Sequence, residues 1–270
     1  MKFSVLLSIY HKEDPLYFNR SMYSIWDEQS VRPDEIVLVE DGPLTEPLYN
    51  IIAEWKEKLG EALVIVRLKE NAGLGEALNR GLQQCRYELV ARMDTDDIAL
   101  PERFETQLKV FEKDNVDICS AWISEFDQDE SEIISSRKVP KTHDEIVQFA
   151  KSRNPLNHPA VMYRKSKVLE AGGYRTMLWF EDYYLWVRMI LSGARFYNIQ
   201  KSLVHMRSGE AQLERRRGLT YGLKELSFQK RLLDLKFITS AEYVKNISLR
   251  FTARIVPSAL TKRIYQLLRR

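Results

Sequence analysis

Cysteine and long apolar runs are scarce in this chain. Its 270 residues include only 2 cysteines, Cys85 and Cys119, and their spacing matches no metal site. So few cysteines exclude a disulfide-rich scaffold and indicate a reducing compartment. No uncharged apolar stretch approaches the roughly 18 to 20 residues that a membrane-spanning helix needs. These absences favour a cytoplasmic globular protein.

Glycine is also scarce, with 11 residues in the chain. Neither a Walker loop nor the three-glycine fingerprint of dinucleotide-binding folds is present. The apolar run at residues 3–10 is followed by charged residues and has no small-residue cleavage site, so it predicts a core strand rather than a signal peptide.

The chain as a whole has no large excess of one charge sign, because its formal net charge is only +3. The C-terminal tail is different, because it has seven cations and no acidic residue from Lys245 onward, at a spacing that suits amphipathic helices. We hypothesise that this tail lies on an anionic membrane surface at the cytoplasmic face, the alternative being a solvated or dimer-forming helical tail. No nucleic-acid partner is expected. The cations are Lys245, Arg250, Arg254, Lys262, Arg263, Arg269 and Arg270.

The first part of the chain alternates short β-rich runs with segments of helical character. This alternation predicts an α/β fold with a mostly parallel sheet and helices on both faces. The predicted strands are Phe3–Ile9, Glu35–Val39, Leu63–Leu68 and Leu89–Met93, and the predicted helices are Leu16–Glu28, Pro47–Leu59 and Gly75–Cys85.

Beyond a helix predicted from Pro101 to about Lys113, the regular alternation ends. We expect a catalytic domain over residues 1–212 and a helical, basic C-terminal region over 213–270. The further predicted strands are Val116–Ser124, Ile133–Val139 and Ala160–Tyr163, and the further predicted helices are Thr142–Lys151 and Glu181–Ser192.

Three aspartates follow the fourth predicted strand directly, in the run Asp94-Thr95-Asp96-Asp97. Ligands of such folds gather at the carboxyl ends of the strands, and carboxylates there attract Mg²⁺ or Mn²⁺ together with substrate phosphates. A solvated turn that caps the next helix is the alternative. The position in the α/β alternation favours a site for a metal-bound diphosphate.

Five segments in this order resemble the GT-A-fold glycosyltransferases of family 2, particularly the bacterial enzymes that build capsule, exopolysaccharide or O-antigen. The resemblance covers roughly residues 3 to 207 and implies an inverting, metal-dependent transfer of sugar from a nucleotide diphosphate, with UDP the usual nucleotide. The expected acceptor is a glycan or a lipid-linked oligosaccharide. The segments are SVLLSIYHKE, EIVLVEDG, ENAGLGEALNRG, ARMDTDD with LPERFETQ, and FEDYYLWVRM.

Position by position, the resemblance implies a nucleotide site at the strand ends. Asp41 would accept a hydrogen bond from the base, Tyr10 would offer an aromatic face, and Asp94 and Asp96 would contact the metal. For Tyr10 the alternative is a half-buried aromatic, and for Asn71 it is a helix cap. The full set of predicted nucleotide contacts is Ser8, Tyr10, Glu13, Asp41, Asn71, Gly73, Asn79, Asp94 and Thr95.

The resemblance places the catalytic base in the acidic pair Glu181-Asp182, and Asp182 is the predicted base. Inverting transfer needs one carboxylate that takes the proton of the acceptor hydroxyl. Because the pair opens a predicted helix, we expect the helix N-terminus to keep it ionised, although a plain capping role fits the same position. His158 and Arg207 are further candidates for contact with the donor sugar, acceptor or diphosphate, and His205 is left out of the metal set.

Two other functions remain open at this point. A nucleotidylyltransferase also combines a nucleotide fold with acidic metal ligands. It would need a basic, glycine-rich loop after the first strand, and residues 8–13, which follow that strand here, do not form such a loop. A non-catalytic protein that binds nucleotide sugar would share the same strand-end residues.

Overall fold

The computed structural model of the protein describes residues 1–113, 115–208 and 219–255. Nine strands in this part of the chain form one mixed sheet. The strands are β1 Phe3–Ile9, β2 Glu35–Glu40, β3 Leu63–Arg67, β4 Leu89–Arg92, β5 Ile98–Ala99, β6 Ile118–Phe126, β7 Ser135–Arg137, β8 Met162–Arg164 and β9 Phe196–Arg207. The helices are α1 Pro15–Trp26, α2 Glu46–Leu59, α3 Leu74–Gln84, α4 Arg103–Lys113, α5 His143–Phe149, α6 Lys165–Glu170, α7 Glu181–Leu191, α8 Leu219–Asp234 and α9 Ser240–Ile255.

The first half of the sheet is parallel, in the order β3-β2-β1-β4. Side chains of β1 alternate between two apolar clusters, because successive residues of a strand point to opposite faces. Val5 and Leu7 pack with α1 and α2, whereas Leu6 packs with α3 on the other face. The predicted α/β architecture with helices on both faces is confirmed.

Helix α3 lies unusually close to the sheet at Gly81. A Cβ atom there would come within 2.4 Å of Leu6 Cδ1 and 2.6 Å of Val39 Cγ2. Since neither core side chain has room to move, a glycine at this position allows the helix to approach. The close packing fixes the start of α3 over the carboxyl ends of β1 and β2.

The second half of the sheet was predicted less completely. Strand β9 was not predicted, although it runs parallel to β6 through a register shift at Ala121–Ile123. Of the predicted strand Ile133–Val139, only Ser135–Arg137 pairs with β6, and Ile133 and Ile134 are exposed. Ile134 N–H still donates to the Glu125 carbonyl of β6 at 2.8 Å, so the strand is shorter than predicted rather than absent. The short strand β5 and helix α6 were also missed.

Helices α8 and α9 pack against the first turn of α7 through a third apolar cluster. The rings of Phe180 and Phe228 stack with centroids 4.8 Å apart, and Tyr183 packs against Phe228 at 4.7 Å. Asn246 of α9 donates to the carbonyl of Lys151 at 2.7 Å. The described C-terminal helices therefore hold the chain segment that leads into α7.

None of the described helices is long and apolar enough to cross a membrane.

Candidate functional site

The parallel strands β1, β2 and β4 have their carboxyl ends at the same edge of the sheet. Ile9 lies opposite Glu40, and Leu6 lies opposite Arg92. The backbone continues this pairing past the strands, because Asp41 N–H donates to the Ile9 carbonyl at 2.8 Å and Met93 N–H donates to the Leu6 carbonyl at 3.1 Å. The segments after β1, β2 and β4 therefore meet at the same edge of the sheet.

Asp41 connects the end of β2 to the loop before α3. Its carboxylate oxygens accept hydrogen bonds from Ala72 N–H at 2.7 Å and Gly73 N–H at 3.1 Å, and Asn71 Nδ2 donates to the Asp41 carbonyl at 3.3 Å. The loop needs two glycines in the left-handed region, Gly42 with φ +86° and Gly73 with φ +85°; a Cβ on Gly42 would meet Asn71 N at 2.7 Å. Asp41 thus fixes the loop predicted to cover the nucleotide, and Asn71 bonds to Asp41 rather than capping α3.

The remaining predicted nucleotide contacts lie beside this loop and at the strand ends. Ser8 and Tyr10 are half-buried at the end of β1, and Glu13 N–H donates to the Tyr10 carbonyl at 3.1 Å. Thr95 is buried in the turn after β4. Asn79 lies deeper, where Nδ2 donates to the Tyr174 carbonyl at 2.8 Å and Oδ1 accepts from Tyr174 N–H at 2.8 Å. Asn79 therefore joins α3 to the segment before α7.

The aspartate turn after β4 has three carboxylates in different surroundings. Asp94 forms an ion pair with the fully buried Arg92, whose Nε and Nη1 atoms have no hydrogen-bond partner. Burial, followed by repulsion from Asp94, raises the pKa of Asp96 to about 6. Burial also raises the pKa of Asp97 well above its usual range; its Oδ1 accepts from Arg207 N–H at 2.9 Å and its Oδ2 has no partner. Asp97 supports the turn, whereas Asp94 and Asp96 form its more accessible part.

These carboxylates fit a divalent cation only as part of a larger ligand set. Within the described part of the chain, no three carboxylate, histidine or cysteine side chains are close enough to hold a metal unaided. Yet the repulsion that raises the pKa of Asp96 is what a cation between Asp94 and Asp96 would relieve, and Mg²⁺ or Mn²⁺ commonly takes further ligands from phosphates and water.

Arg207 braces the aspartate turn from the end of β9. Its guanidinium lies over the Tyr17 ring at 3.6 Å, donates through Nε to the Asp96 carbonyl at 3.3 Å and through Nη1 to the Asp127 carbonyl at 2.8 Å. These contacts give Arg207 a positioning function; its predicted contact with the diphosphate stays a prediction. The neighbouring arginines 215–217 lie outside the described residues.

Glu181 and Asp182 begin α7, close to the start of α3. A Cβ on Gly75, at the start of α3, would lie 3.5 Å from Glu181 Cγ and 3.6 Å from Tyr174 Cβ. Burial raises the pKa of Tyr174, and the charges of Arg92, Asp182 and Asp94 also act on it. The loop before α3, the aspartate turn and the acidic pair thus lie around Tyr174.

The two carboxylates of the pair have raised rather than lowered pKa values. Burial is the main cause for both: it raises the pKa of Glu181 to about 7, with a smaller contribution from Asp182, and it raises the pKa of Asp182 against the hydrogen bond from Asn154. Asn154 Nδ2 donates to Asp182 Oδ2 at 2.6 Å. Desolvation therefore opposes the stabilisation of the ionised pair that we expect from the helix N-terminus.

His158 is a half-buried, hydrogen-bonded residue. Its Nε2 lies 2.9 Å from the Tyr174 hydroxyl, and its ring is 5.9 Å from that of Trp186. Desolvation lowers the pKa of His158 well below its usual range, so the imidazole is neutral. Its contact with a sugar stays a prediction. His205 pairs with Ile98 in the β5–β9 ladder, away from the acidic pair.

Two residues of the site were missed from the sequence. Arg92 could have been found as a cation inside an otherwise apolar strand just before the aspartates, and Asn154 as an amide in a proline-bounded loop.

Comparison with known proteins finds related sequences across the whole chain. The model of "Glycosyl transferase family 2" matches residues 4–173. The amylovoran biosynthesis glycosyltransferase AmsE of Erwinia amylovora is 40% identical, over 98% of this chain and 98% of that protein. The UDP-Gal:alpha-D-GlcNAc-diphosphoundecaprenol beta-1,3-galactosyltransferase of Escherichia coli is 36% identical, over 98% of this chain and 95% of that protein.

Solved structures share the fold at low sequence identity. TarS 1–349 of S. aureus in complex with UDP-GlcNAc gives a TM-score of 0.67 at 17% identity, over 93% of this chain and 72% of that one. The mannosyltransferase PcManGT of Pyrobaculum calidifontis, in complex with GDP-Man and Mn²⁺, gives a TM-score of 0.64 at 13% identity, over 92% of this chain and 68% of that one. The chain spans 43% of a longer TarS structure.

Proposed function

This chain belongs to glycosyltransferase family 2 and has the GT-A fold, and from that premise we propose that it transfers a sugar from a UDP-sugar to a hydroxyl of a lipid-linked glycan in surface polysaccharide synthesis, with inversion. The observation that carries the proposal is that the Asp41-held loop, the aspartate turn and the Glu181-Asp182 pair lie around Tyr174 and the start of α3. Each supplies one part of the reaction: nucleotide binding, diphosphate binding and proton acceptance.

The donor side of the proposal rests on the segments after β1 and β2. Tyr10 offers a half-buried ring and Asp41 a carboxylate whose oxygens already align two backbone donors of the covering loop. A loop held in this way is preorganised to close on a nucleotide, which lowers the entropic cost of binding. The E. coli relative, whose name specifies UDP-Gal, supports UDP as the nucleotide.

A divalent cation, Mn²⁺ or Mg²⁺, is proposed at Asp94 and Asp96. When bound, it would stabilise the negative charge of the departing diphosphate. The carboxylate repulsion within the turn supports such a site, as does the Mn²⁺ complex of PcManGT among proteins of this fold. Arg92 forms an ion pair with Asp94, and Arg207 donates a hydrogen bond to the Asp96 carbonyl.

Asp182 is the proposed base. The hydrogen bond from Asn154 fixes one oxygen of its carboxylate, and Tyr183 N–H donates to the other at 2.7 Å. A carboxylate oriented by two donors and desolvated by burial can accept the proton of the attacking hydroxyl at near-neutral pH. Glu181, with its pKa of about 7, lies beside it and is suited to orient the acceptor.

Measurement of the released product distinguishes this function from its rivals. The protein with Mn²⁺ and a panel of UDP-sugars, together with a glycan diphosphate acceptor on a short alkyl chain, should release UDP, and EDTA should stop the release. Pyrophosphate formed from a sugar phosphate and a nucleoside triphosphate would instead indicate a nucleotidylyltransferase. Stabilisation by a UDP-sugar without release of either product would indicate a binding protein.

A further inference from the structure

The segment just before the acidic pair contains a tryptophan in an unusual backbone conformation. Trp179 has φ +71°, in the left-handed region where glycine is the usual residue. It occupies the third position of a turn in which Phe180 N–H donates to the Met177 carbonyl at 2.7 Å. A bulky residue in such a position is strained, and strain of this kind collects at functional sites.

The surroundings of Trp179 hold its indole at the surface. The ring stacks on Tyr221 of α8, with centroids 5.1 Å apart and planes at 22°. Phe180, the next residue, is buried and stacks on Phe228 of the same helix. Trp179 nevertheless remains 40% exposed, so its indole packs on Tyr221 on one side and is accessible on the other.

Trp179 is also close to the acidic pair along the chain. Its backbone N–H favours the ionised form of Glu181, two positions further on, and Asp182 follows directly. A hydroxyl that loses its proton to Asp182 belongs to a ring that must lie near this turn. The exposed indole belongs to the same turn.

We propose that Trp179, backed by Tyr221, is a stacking platform for the pyranose ring of the acceptor. One face of a pyranose is largely C–H, and it packs on a flat aromatic surface while the hydroxyls at its rim remain free for hydrogen bonds. The platform orients the attacking hydroxyl toward Asp182 and makes Trp179 a determinant of acceptor specificity. This inference rests on the proposed function and adds the residue that recognises the acceptor.

Three substitutions distinguish the contribution of the Trp179 ring from that of its backbone conformation. Trp179→Tyr keeps an aromatic ring, Trp179→Gly removes the ring and relaxes the backbone, and Leu178→Ala removes an exposed apolar neighbour that lacks a ring. If the tryptophan served only the turn, Trp179→Gly would be the best tolerated variant. If the ring binds the acceptor, Trp179→Gly is the most damaging.

The experiment measures KM separately for UDP-galactose and for N-acetylglucosamine α-diphosphate carrying alkyl chains of two lengths. We expect Trp179→Gly to raise the KM for acceptor about tenfold at either chain length, as loss of an aromatic contact would. The KM for UDP-galactose and its slow hydrolysis without acceptor should be unchanged, which also shows that the variant is folded. Trp179→Tyr and Leu178→Ala should stay close to the wild type.

Several results would overturn the platform. An unchanged acceptor KM in Trp179→Gly would do so, as would a rise in the KM for UDP-galactose, which would indicate contact with the donor. An effect that grows with alkyl length would assign the indole to the lipid chain. If the wild-type chain releases UDP from no UDP-sugar, the proposed function fails and the platform with it, whereas UDP release with unaltered Trp179 variants refutes the platform alone.

Discussion

Asp182 and Glu181 are adjacent carboxylates with different partners. Asn154 and Tyr183 N–H donate to Asp182, while Glu181 is less enclosed. A fixed carboxylate suits proton transfer, because the acceptor hydroxyl has to meet it in one orientation. The more exposed neighbour can adjust to the substrate.

Replacement of Asp182 by Asn should remove the base and leave the donor site intact. We expect kcat for transfer to fall by about 10²- to 10⁴-fold, since the amide cannot accept the proton. UDP affinity, measured by calorimetry, should be unchanged. Asp144→Asn is a matched control, because Asp144 is also in the first turn of a helix but is exposed on α5. Full turnover by Asp182→Asn would refute the assignment.

The raised pKa values predict an acid limb in the pH profile of transfer. A base must be ionised to act, and burial raises the pKa of the Asp182 carboxyl above its ordinary value, so kcat/KM should fall as the pH is lowered, at a higher pH than for an ordinary aspartate. Glu181→Gln removes a neighbouring negative charge, which lowers the pKa of Asp182 and should shift the limb to lower pH. A limb at the same pH in both proteins would show that the two carboxylates are not coupled.

At the residue scale, the positions of the acidic residues at strand and helix ends could be predicted from the sequence, but their environment could not. The strand-end positions of Asp41 and Asp94 follow from the βα alternation, and the acidic pair from the resemblance. The support from Arg92 and the positive φ of Trp179 could not be predicted, because both depend on segments far apart in the chain. The burial that raises the pKa of Asp182 could not be predicted either, because burial is a tertiary property.

Among the elements, the loop 71–73 between β3 and α3 should depend on Asp41. Asp41→Ala removes the acceptor of two backbone N–H groups, and hydrogen bonds to charged groups contribute about 1.5–3 kcal/mol. We expect a lower melting temperature and at least about tenfold weaker UDP binding, measured by thermal unfolding and calorimetry.

Glu70→Ala is the control for this loop, because Glu70 lies just before it and is exposed. This substitution should leave the melting temperature and the UDP affinity unchanged. Wild-type UDP affinity in Asp41→Ala would show that the loop does not need Asp41 to cover the nucleotide.

The elements of the first half were predictable because hydrophobic periodicity changes clearly between strand and helix there. Strand β9 was not, since polar residues such as Asn198, Gln200 and Lys201 interrupt its apolar pattern. The structure explains their presence: Asn198 is buried and donates to the carbonyls of Pro140 and Pro155, and Lys201 pairs with Glu102. A strand whose polar residues bond to distant loops carries no local signature.

For the whole molecule, the proposed boundary at residues 212 and 213 stays a prediction. The described helices α8 and α9 pack on α7, and Arg250, counted among the tail cations, forms an ion pair with Glu225. Its charge is thus already compensated within the protein. Lys245 of α9 is exposed, and Lys262, Arg263, Arg269 and Arg270 lie outside the described residues.

The proposed membrane contact can be tested in the full-length chain. Vesicles with anionic lipid should carry the wild-type protein upward in flotation, and neutral vesicles should not, because each Lys or Arg near an anionic surface contributes about 1 kcal/mol. Exchange of Lys262, Arg263, Arg269 and Arg270 for Gln should abolish flotation. Equal flotation of both proteins would favour a solvated or dimer-forming tail.

The stereochemistry of the product tests the central claim most directly. A single displacement assisted by one base inverts the anomeric centre, so an α-linked donor must give a β-linked product. With Mn²⁺, the UDP-sugar that the panel identifies as the donor and a glycan diphosphate acceptor on an alkyl chain, proton NMR of the purified product should show the anomeric coupling of a β-glycoside. The coupling of an α-glycoside would contradict the account, because retention cannot arise from one displacement assisted by Asp182.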